Sequence, residues 1–360
     1  MTTTTTQTID EAKVEAFTGR MVDVLTSGSL ALLCSIGQRL ELFDTLAELG
    51  PATSAQLAEA AGLQERYVRE WLGGVTTGGI VEHDPERATF RLPAEHAARL
   101  TRAAGPDNIG TVLRFLPLLA QVEEQVVAAF RHGGGVPYSA YRDFHALMAD
   151  ENGKVFDAAL VDTILPLADG LTERLAAGAV LADVGCGAGR ALNIMAREFP
   201  ASRFVGYDFS EEAIAVARAE AADLGLENAR FVRQDVAELE VDGQFDAVTA
   251  FDAIHDQARP GDVLARVHRA LKPGGTFLMA DIRASSHLHE NHDIPWAPWL
   301  YTVSTMHCMT VSLALDGEGL GTVWGHQRAR GMLDDAGFVD VEVREVDSDP
   351  FNLYYVATRG

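Results

Sequence analysis

Apolar positions along the chain change their period twice. From Ala16 to Leu49 they recur at helical spacing, as in Leu30, Leu33, Ile36, Leu40 and Phe43, which predicts long helices. The stretch PATSAQLAEAAGLQERYVREWLGGVTTGGIVEHDPERATFRL follows. Thr53 or Ser54 can cap a short helix there, Gly62 breaks it, a second helix runs from about Gln64 to Leu72, and a turn at Gly78 and Gly79 leads into two strand-like pieces, GIVEH and TFRL. Helix, turn, helix and small hairpin make the outline of a winged helix. From about Asn108 to Ala177 the pattern is helical again, interrupted by GGGVP at Gly133 to Pro137. Beyond it the runs AVLADVG, RFVGYDF, ARFVRQD, FDAVTAF and GTFLMADI alternate with helix-like segments such as SEEAIAVARAEAADLG and RPGDVLARVHRAL. Strands alternating with helices imply right-handed crossovers and a doubly wound parallel sheet, so the fold class is α/β with a mainly helical region in front. Ligands of such sheets bind beyond the carboxyl ends of the strands.

Composition narrows the function. The 360 residues leave room for about two domains. A net charge of -23 disfavours phosphate backbones and anionic lipid surfaces, so neither nucleic acid nor membrane is expected as a partner. The supposed recognition helix, QERYVREWL, agrees: Arg66 and Arg69 are offset by Glu65 and Glu70. The opening MTTTTTQTIDEAK lacks the apolar core of a secretory signal, and no apolar stretch is expected to reach membrane-spanning length. Cys34, Cys186 and Cys308 are odd in number and widely spaced, which suits reduced thiols in a cytoplasm.

The end of the first α/β strand carries LADVGCGAGRAL. Gly185, Gly187 and Gly189 let a loop turn tightly and bring bare backbone against a ligand. A dinucleotide fingerprint has its third glycine one position later, where Arg190 stands. Asp183 puts a carboxylate at this strand end, suited to a cationic ligand and poorly suited to pyrophosphate. Asp208, in GYDFS, sits where an acid would accept both hydroxyls of a ribose, and Asp235 and Val236 could receive and cover an adenine. Three successive strands ending in acid suit a ligand with a ribose, an adenine and positive charge.

From about Leu175 to Arg359 these residues resemble the class I S-adenosylmethionine-dependent methyltransferases, whose LKPGG turn is matched by Leu271 to Gly275 and whose closing hairpin is matched by DVEVREV and NLYYVATR. The resemblance implies a Rossmann-like seven-stranded domain with S-adenosyl-L-methionine as cofactor. It places Asp183, Gly185 and Gly187 at the methionine end, Asp208 with Phe209 at the ribose, and Asp235 with Val236 at the adenine, Phe251 adjoining. The N-terminal half is similar to the two-domain small-molecule O-methyltransferases and to an actinobacterial group of unassigned substrate, in which a winged-helix module serves dimerisation. The implied organisation is a helical, winged-helix-like dimerisation domain over 1–107, a helical linker contributing to the pocket over 108–175, and the methyltransferase domain over 176–360.

FDAIHDQ, after the fourth strand, carries a His-Asp pair where those O-methyltransferases place a catalytic one, although Gln257 stands where a Trp is common. The resemblance makes His255 the general base, and Asp256 either orients it or caps the following turn. His287, His289, His292 and Asp293 form a His-rich stretch that matches no established zinc spacing, so no metal is expected. Trp296, Trp299 and Tyr301, with His307 nearby, wall an apolar substrate cavity or else belong to the core. Tyr138, Tyr141 and His145, in PYSAYRDFH, could close over the cofactor from the linker side or simply pack. The expected protein is a cytoplasmic homodimer that methylates a small molecule, with oxygen the favoured acceptor. Methylation of a thiol or thioether stands as an alternative, as does a DNA-binding regulator that kept the cofactor fold as a sensor.

Overall fold

Local signals set most of the first unit, which ends at Pro117. The computed structural model describes residues 9–142 and 144–360, except for the side chains at 145, 146 and 149–152. Helix α1 (Glu11–Arg39) starts at Asp10, whose carboxylate accepts from the backbone of Ala12 and Lys13. After α2 (Leu42–Leu49), Thr53 closes a capping box with Gln56 and opens α3 (Ser54–Ala61), which Gly62 ends in the left-handed conformation. Helix α4 (Glu65–Thr77) runs past the expected end at Leu72, because Leu33 packs on the bare backbone there: a Cβ on Gly74 would lie 2.2 Å from its Cδ1. The strands β1 (Glu82–Asp84) and β2 (Thr89–Arg91) form the small antiparallel wing, and α5 (Ala94–Leu100) follows. Phe43, Leu46, Leu57, Trp71 and Leu72 fill the core, with the Trp71 indole donating to the Leu33 carbonyl at 2.8 Å. On α4, Arg66 pairs with Glu70 and Arg69 with Glu65, so both cations of that helix are engaged on its own face.

One expectation is corrected here. Helix α1, 29 residues long, is apolar enough by length and composition to cross a membrane, and most of that stretch is not buried. Val14, Phe17, Met21, Val22 and Leu25 are exposed along it. The interleaved Thr, Gly and Ser break up the apolar runs in the sequence without adding charge, which is why no span was expected.

Helix α6 (Phe115–Ala120) carries the chain into the second unit, where α7 (Glu123–His132), α8 (Phe144–Ala159) and α9 (Leu171–Ala177) precede the sheet. The α/β part runs β3 (Val180–Val184), α10 (Arg190–Glu198), β4 (Arg203–Asp208), α11 (Glu211–Asp223), β5 (Ala229–Arg233), β6 (Phe245–Phe251), α12 (Pro260–Ala270) and β7 (Leu271–Ile282). It closes with α13 (Ala297–Val303), α14 (Met309–Leu313), α15 (His326–Asp335), β8 (Phe338–Val346) and β9 (Asp349–Arg359). The strand order is β5-β4-β3-β6-β7-β9-β8. The first five pair in parallel; β9 inserts antiparallel beside β7, with β8 outside it, so the expected edge hairpin is present. Strand order reverses between β3 and β6, and a ligand site belongs beyond their carboxyl ends. Leu192, Met195, Phe204 and Leu278 pack in one core cluster and Val248, Leu264, Phe277 and Leu333 in another, so the central strands are buried on both faces.

Candidate active site

The glycine loop leaves β3 with its first two amides, Gly185 and Cys186, donating to the Tyr207 carbonyl at 2.8 and 3.1 Å. Gly185 has a φ of 68°, and a Cβ on it would lie 2.4 Å from the Ala253 methyl, so only glycine brings this loop against the segment that carries His255. Gly187 donates its amide to Asp208 Oδ2 at 2.9 Å, while Asp208 Oδ1 accepts from the Ser210 amide at 2.8 Å. Asp183 is 2% exposed and accepts from the Thr249 hydroxyl at 2.7 Å. Burial raises its pKa to about 7, the Thr249 bond opposes this, and Asp208 adds to it. A buried carboxyl poised near neutrality beside bare backbone suits a cation, and these residues fit S-adenosylmethionine on that ground.

Asp235 caps the 3-10 turn Val236–Glu238, accepting from the Ala237 amide at 2.9 Å, and its other oxygen faces Arg259 at 3.3 Å. Val236 is buried beside it. Phe209 is half-exposed and meets the Tyr138 ring edge-on at 5.9 Å. The Phe251 ring packs in the core, 5.1 Å from that of Phe156, in a cluster against which Cys186 of the glycine loop also packs. Successive side chains on a strand face opposite ways, and this one faces the helices.

His255 is 4% exposed. Its Nδ1 lies 2.8 Å from Asp281 Oδ1, and its Nε2 lies 3.3 Å from Asp256 Oδ1. Asp281, fully buried at the end of β7, also accepts at Oδ1 from the Trp324 indole and from the Ile282 amide, both at 2.8 Å. The residue that orients the imidazole is therefore Asp281, which the sequence reading did not name, while Asp256 stands on the opposite nitrogen. Burial works to lower the His255 pKa, but Asp281 and then Asp256 overcome it and raise it well above the ordinary value. Asp252 holds the turn before His255 at a φ of 51°, with a buried Oδ1 that has no hydrogen-bond partner among the described residues; burial and then Asp281 raise its pKa to about 8.

Opposite this group an aromatic wall forms. The chain of residues 304–308, Ser304–Cys308, is π-helical, a local widening frequent at functional sites, and it carries His307 and Cys308 inward. The His307 ring stacks on Phe144 at 3.8 Å and meets the edges of Tyr141 at 4.6 Å and Tyr138 at 5.2 Å. Tyr141 donates to the Met306 carbonyl at 2.5 Å, and the Val136 amide to Thr310 Oγ1 at 3.0 Å, so the 136–141 segment is tied to this helix. Burial, then Asp256 and Asp208, raise the Tyr138 pKa well above its usual value. The His145 side chain lies outside the described residues. Trp296 and Tyr301 are not part of this wall. The Trp296 ring lies 4.9 Å from that of Phe351, and Tyr301, 37% exposed, accepts at its hydroxyl from Asn291 at 3.2 Å. Trp299 is half-buried on α13. His287 and His289 stack loosely on one another at 5.9 Å, away from any acid but Glu290 among the described ion pairs.

This sheet, its glycine loop and its row of acids define the fold of the S-adenosylmethionine-dependent methyltransferases. Residues 175–344 match the family model described as a methyltransferase domain, and residues 28–102 the one described as an Rv2258c-like winged HTH domain, so the chain joins a winged HTH domain to a methyltransferase domain. A ubiquinone biosynthesis O-methyltransferase of Pseudomonas paraeruginosa is 33% identical over 108 residues, 29% of this chain and 45% of the relative. A fatty-acid O-methyltransferase of Mycolicibacterium smegmatis is 35% identical over 114 residues, 31% of this chain and 38% of the relative. The chain thus spans less than half the length of these curated relatives. Among solved structures, the mitomycin 7-O-methyltransferase MmcR is similar with a TM-score of 0.72 at 20% identity, over 97% of this chain and 100% of that one. Human N-acetylserotonin methyltransferase in complex with SAM is similar with a TM-score of 0.70 at 17% identity, over 98% of this chain and 99% of that one. At such identities the likeness is one of fold.

Proposed function

We propose that this chain methylates an oxygen atom of a small-molecule acceptor, with S-adenosylmethionine as donor and His255 as the base. When bound, that cofactor supplies a methyl group already activated on a sulfonium. Asp183, Gly185 and Gly187 would hold its methionine end, and Asp208 its ribose. Val236 with Asp235 would cover the adenine. The observation that carries the reading is the buried Asp281–His255 pair beside the glycine loop. With Asp281 accepting from Nδ1, the neutral form of His255 carries its lone pair on Nε2, and in that form the acceptor's proton passes to Nε2 as the oxygen attacks. Asp281 then stabilises the imidazolium. The raised proton affinity of His255 suits a hydroxyl better than a thiol, since a phenol near pKa 10 needs a base more than a thiol near 8.5. Tyr138, Tyr141, Phe144 and His307 would exclude water and shape the acceptor site. The names of the curated relatives, both O-methyltransferases, support the same atom.

Around this site we place a homodimer in the cytoplasm, with the exposed apolar side of α1 covered by a second copy and the engaged arginines of α4 leaving DNA unbound. The deciding experiment is S-adenosylhomocysteine release across a panel of phenols, carboxylic acids, alcohols and thiols. Turnover on hydroxylated acceptors is expected. Turnover confined to thiols would replace the oxygen assignment, and none on any acceptor, with a gel shift on DNA, would replace the enzyme.

A further inference from the structure

The atoms that meet at the end of β6 form a metal-ligand set as well as a proton-transfer set. His255, Asp256 and Cys308 each offer one ligand atom, and these atoms all lie within 4.8 Å of one another. His255 and Cys308 are buried, and Asp256 is half-buried. Tetrahedral binding at about 2.0 to 2.3 Å per ligand needs donors roughly 3.4 to 3.7 Å apart, so small rotamer movements close the set.

Three features favour a cation over a coincidence of side chains. Asp281, fixed by Trp324 and the Ile282 amide, accepts from Nδ1, so Nε2, 3.3 Å from Asp256 Oδ1, is the nitrogen that ligates once its proton is displaced. Carboxylate, then imidazole, then metal is the usual arrangement of a liganding histidine. Asp256 Oδ1 is buried and accepts no hydrogen bond from a described residue. Two lone pairs face each other there, and they repel unless a proton or a cation lies between them. The Cys308 sulfur also lies within hydrogen-bond reach of His255, so a proton at Nε2 is shared between two acceptors, whereas a cation ligates all three atoms. Finally, one thiolate and one carboxylate neutralise a divalent charge, which a buried site requires. One S, one N and one O donor with a fourth position open fit zinc by softness and geometry, and they fit calcium or magnesium poorly.

We propose that His255 Nε2, Asp256 Oδ1 and Cys308 Sγ bind one divalent cation of the zinc class, and that cation and proton exclude one another at Nε2. Binding breaks the S–H bond of Cys308 and, in the imidazolium form, the Nε2–H bond of His255, releases those protons to solvent and forms the S–metal and N–metal bonds; no electron is transferred. The consequence for turnover rests on the base role assigned above: the metal-bound state is the silent one. The site itself does not depend on that role.

The test uses the untagged full-length chain, stripped with a chelator and titrated with Co2+. One cobalt per chain, with an intense thiolate-to-metal absorption band, is expected. The band should vanish in Cys308→Ser and His255→Ala, and Asp281→Asn should weaken the affinity by about 10- to 100-fold. Affinity for S-adenosylhomocysteine should hold in Cys308→Ser, which shows that the variant is folded. Absence of cobalt binding, cobalt bound without the thiolate band, or a band that survives in Cys308→Ser overturns the site. On an accepted acceptor, stoichiometric Zn2+ should stop turnover until a chelator restores it. A chain that shows the cobalt band yet turns over fully with Zn2+ bound keeps the site and overturns the base role of His255.

Discussion

The two halves of the sheet's carboxyl rim are built on different plans. On the β3–β5 side each functional group sits at or just past its own strand end: Asp183, the glycine loop, Asp208 and Asp235. On the β6–β7 side the site gathers His255 and Asp256 after one strand, Asp281 from the next, Cys308 and His307 from a π-helical turn, and Tyr138 and Phe144 from before the sheet. The first plan fixes a constant ligand by local backbone geometry. The second gathers its groups, proposed above to receive the acceptor, from parts that can change independently. Cofactor class is therefore readable where acceptor identity is not.

Substitution on the acceptor side should show the larger effect. His255→Gln should cut turnover on a hydroxyl acceptor by about 100-fold to 10,000-fold while leaving S-adenosylhomocysteine affinity unchanged by calorimetry. Near-normal turnover on a high-pKa phenol would make His255 structural. Asp281→Asn should cost less, about 10- to 100-fold, and carry a signature of its own. With the carboxylate gone, burial wins and the His255 pKa falls, so the limb of the pH–rate profile that reports the base moves to lower pH. A limb that stays in place would mean that Asp281 does not act through the imidazole.

What was legible follows the same division. GCGAG and the acids at the β3–β5 ends could be read because each lies at a fixed offset from an apolar run. The strand rule applied once more, to FLMADI, would have produced Asp281. Cys308 gave no such signal, since a lone cysteine in an apolar helix looks like core until the π-turn rotates it toward His255. Trp296 and Tyr301 looked like pocket because aromatic residues at helical spacing serve cavity and core alike; the Trp296 ring went to Phe351 instead. The membrane-spanning length and apolarity of α1 escaped the sequence because its apolar surface is spread along helical turns and does not form a run.

On the cofactor side, Asp208→Ala should weaken S-adenosylhomocysteine binding by about 1 to 3 kcal/mol, since the amides of Gly187 and Ser210 lose their acceptor along with the ligand. His255→Gln and Asp208→Ala should thus separate cleanly, one changing turnover and the other affinity. If both moved both quantities, the two sides of the rim would not be separate in function.

The smallest effect concerns Asp183, and its sign can be worked out in advance. Its pKa of about 7 in the folded chain lies above the roughly 3.9 of an unfolded aspartate. A raised acid binds its proton more tightly folded than unfolded, so the stability it contributes is full below pH 4 and is lost as pH rises to about 7. Above that pH the buried carboxylate is charged and lacks a cation. A sulfonium- and ammonium-bearing ligand binds the ionised form, so its affinity should rise by about tenfold between pH 6 and pH 8 and level off beyond. Calorimetry in buffers of different ionisation enthalpy should show proton release near pH 6 that fades by pH 8. The thermal shift produced by the cofactor should accordingly be larger at the higher pH. Asp183→Asn should flatten that dependence, and an affinity that changes with pH as steeply in the variant as in the parent would assign the titration to another group, Asp252 first among them.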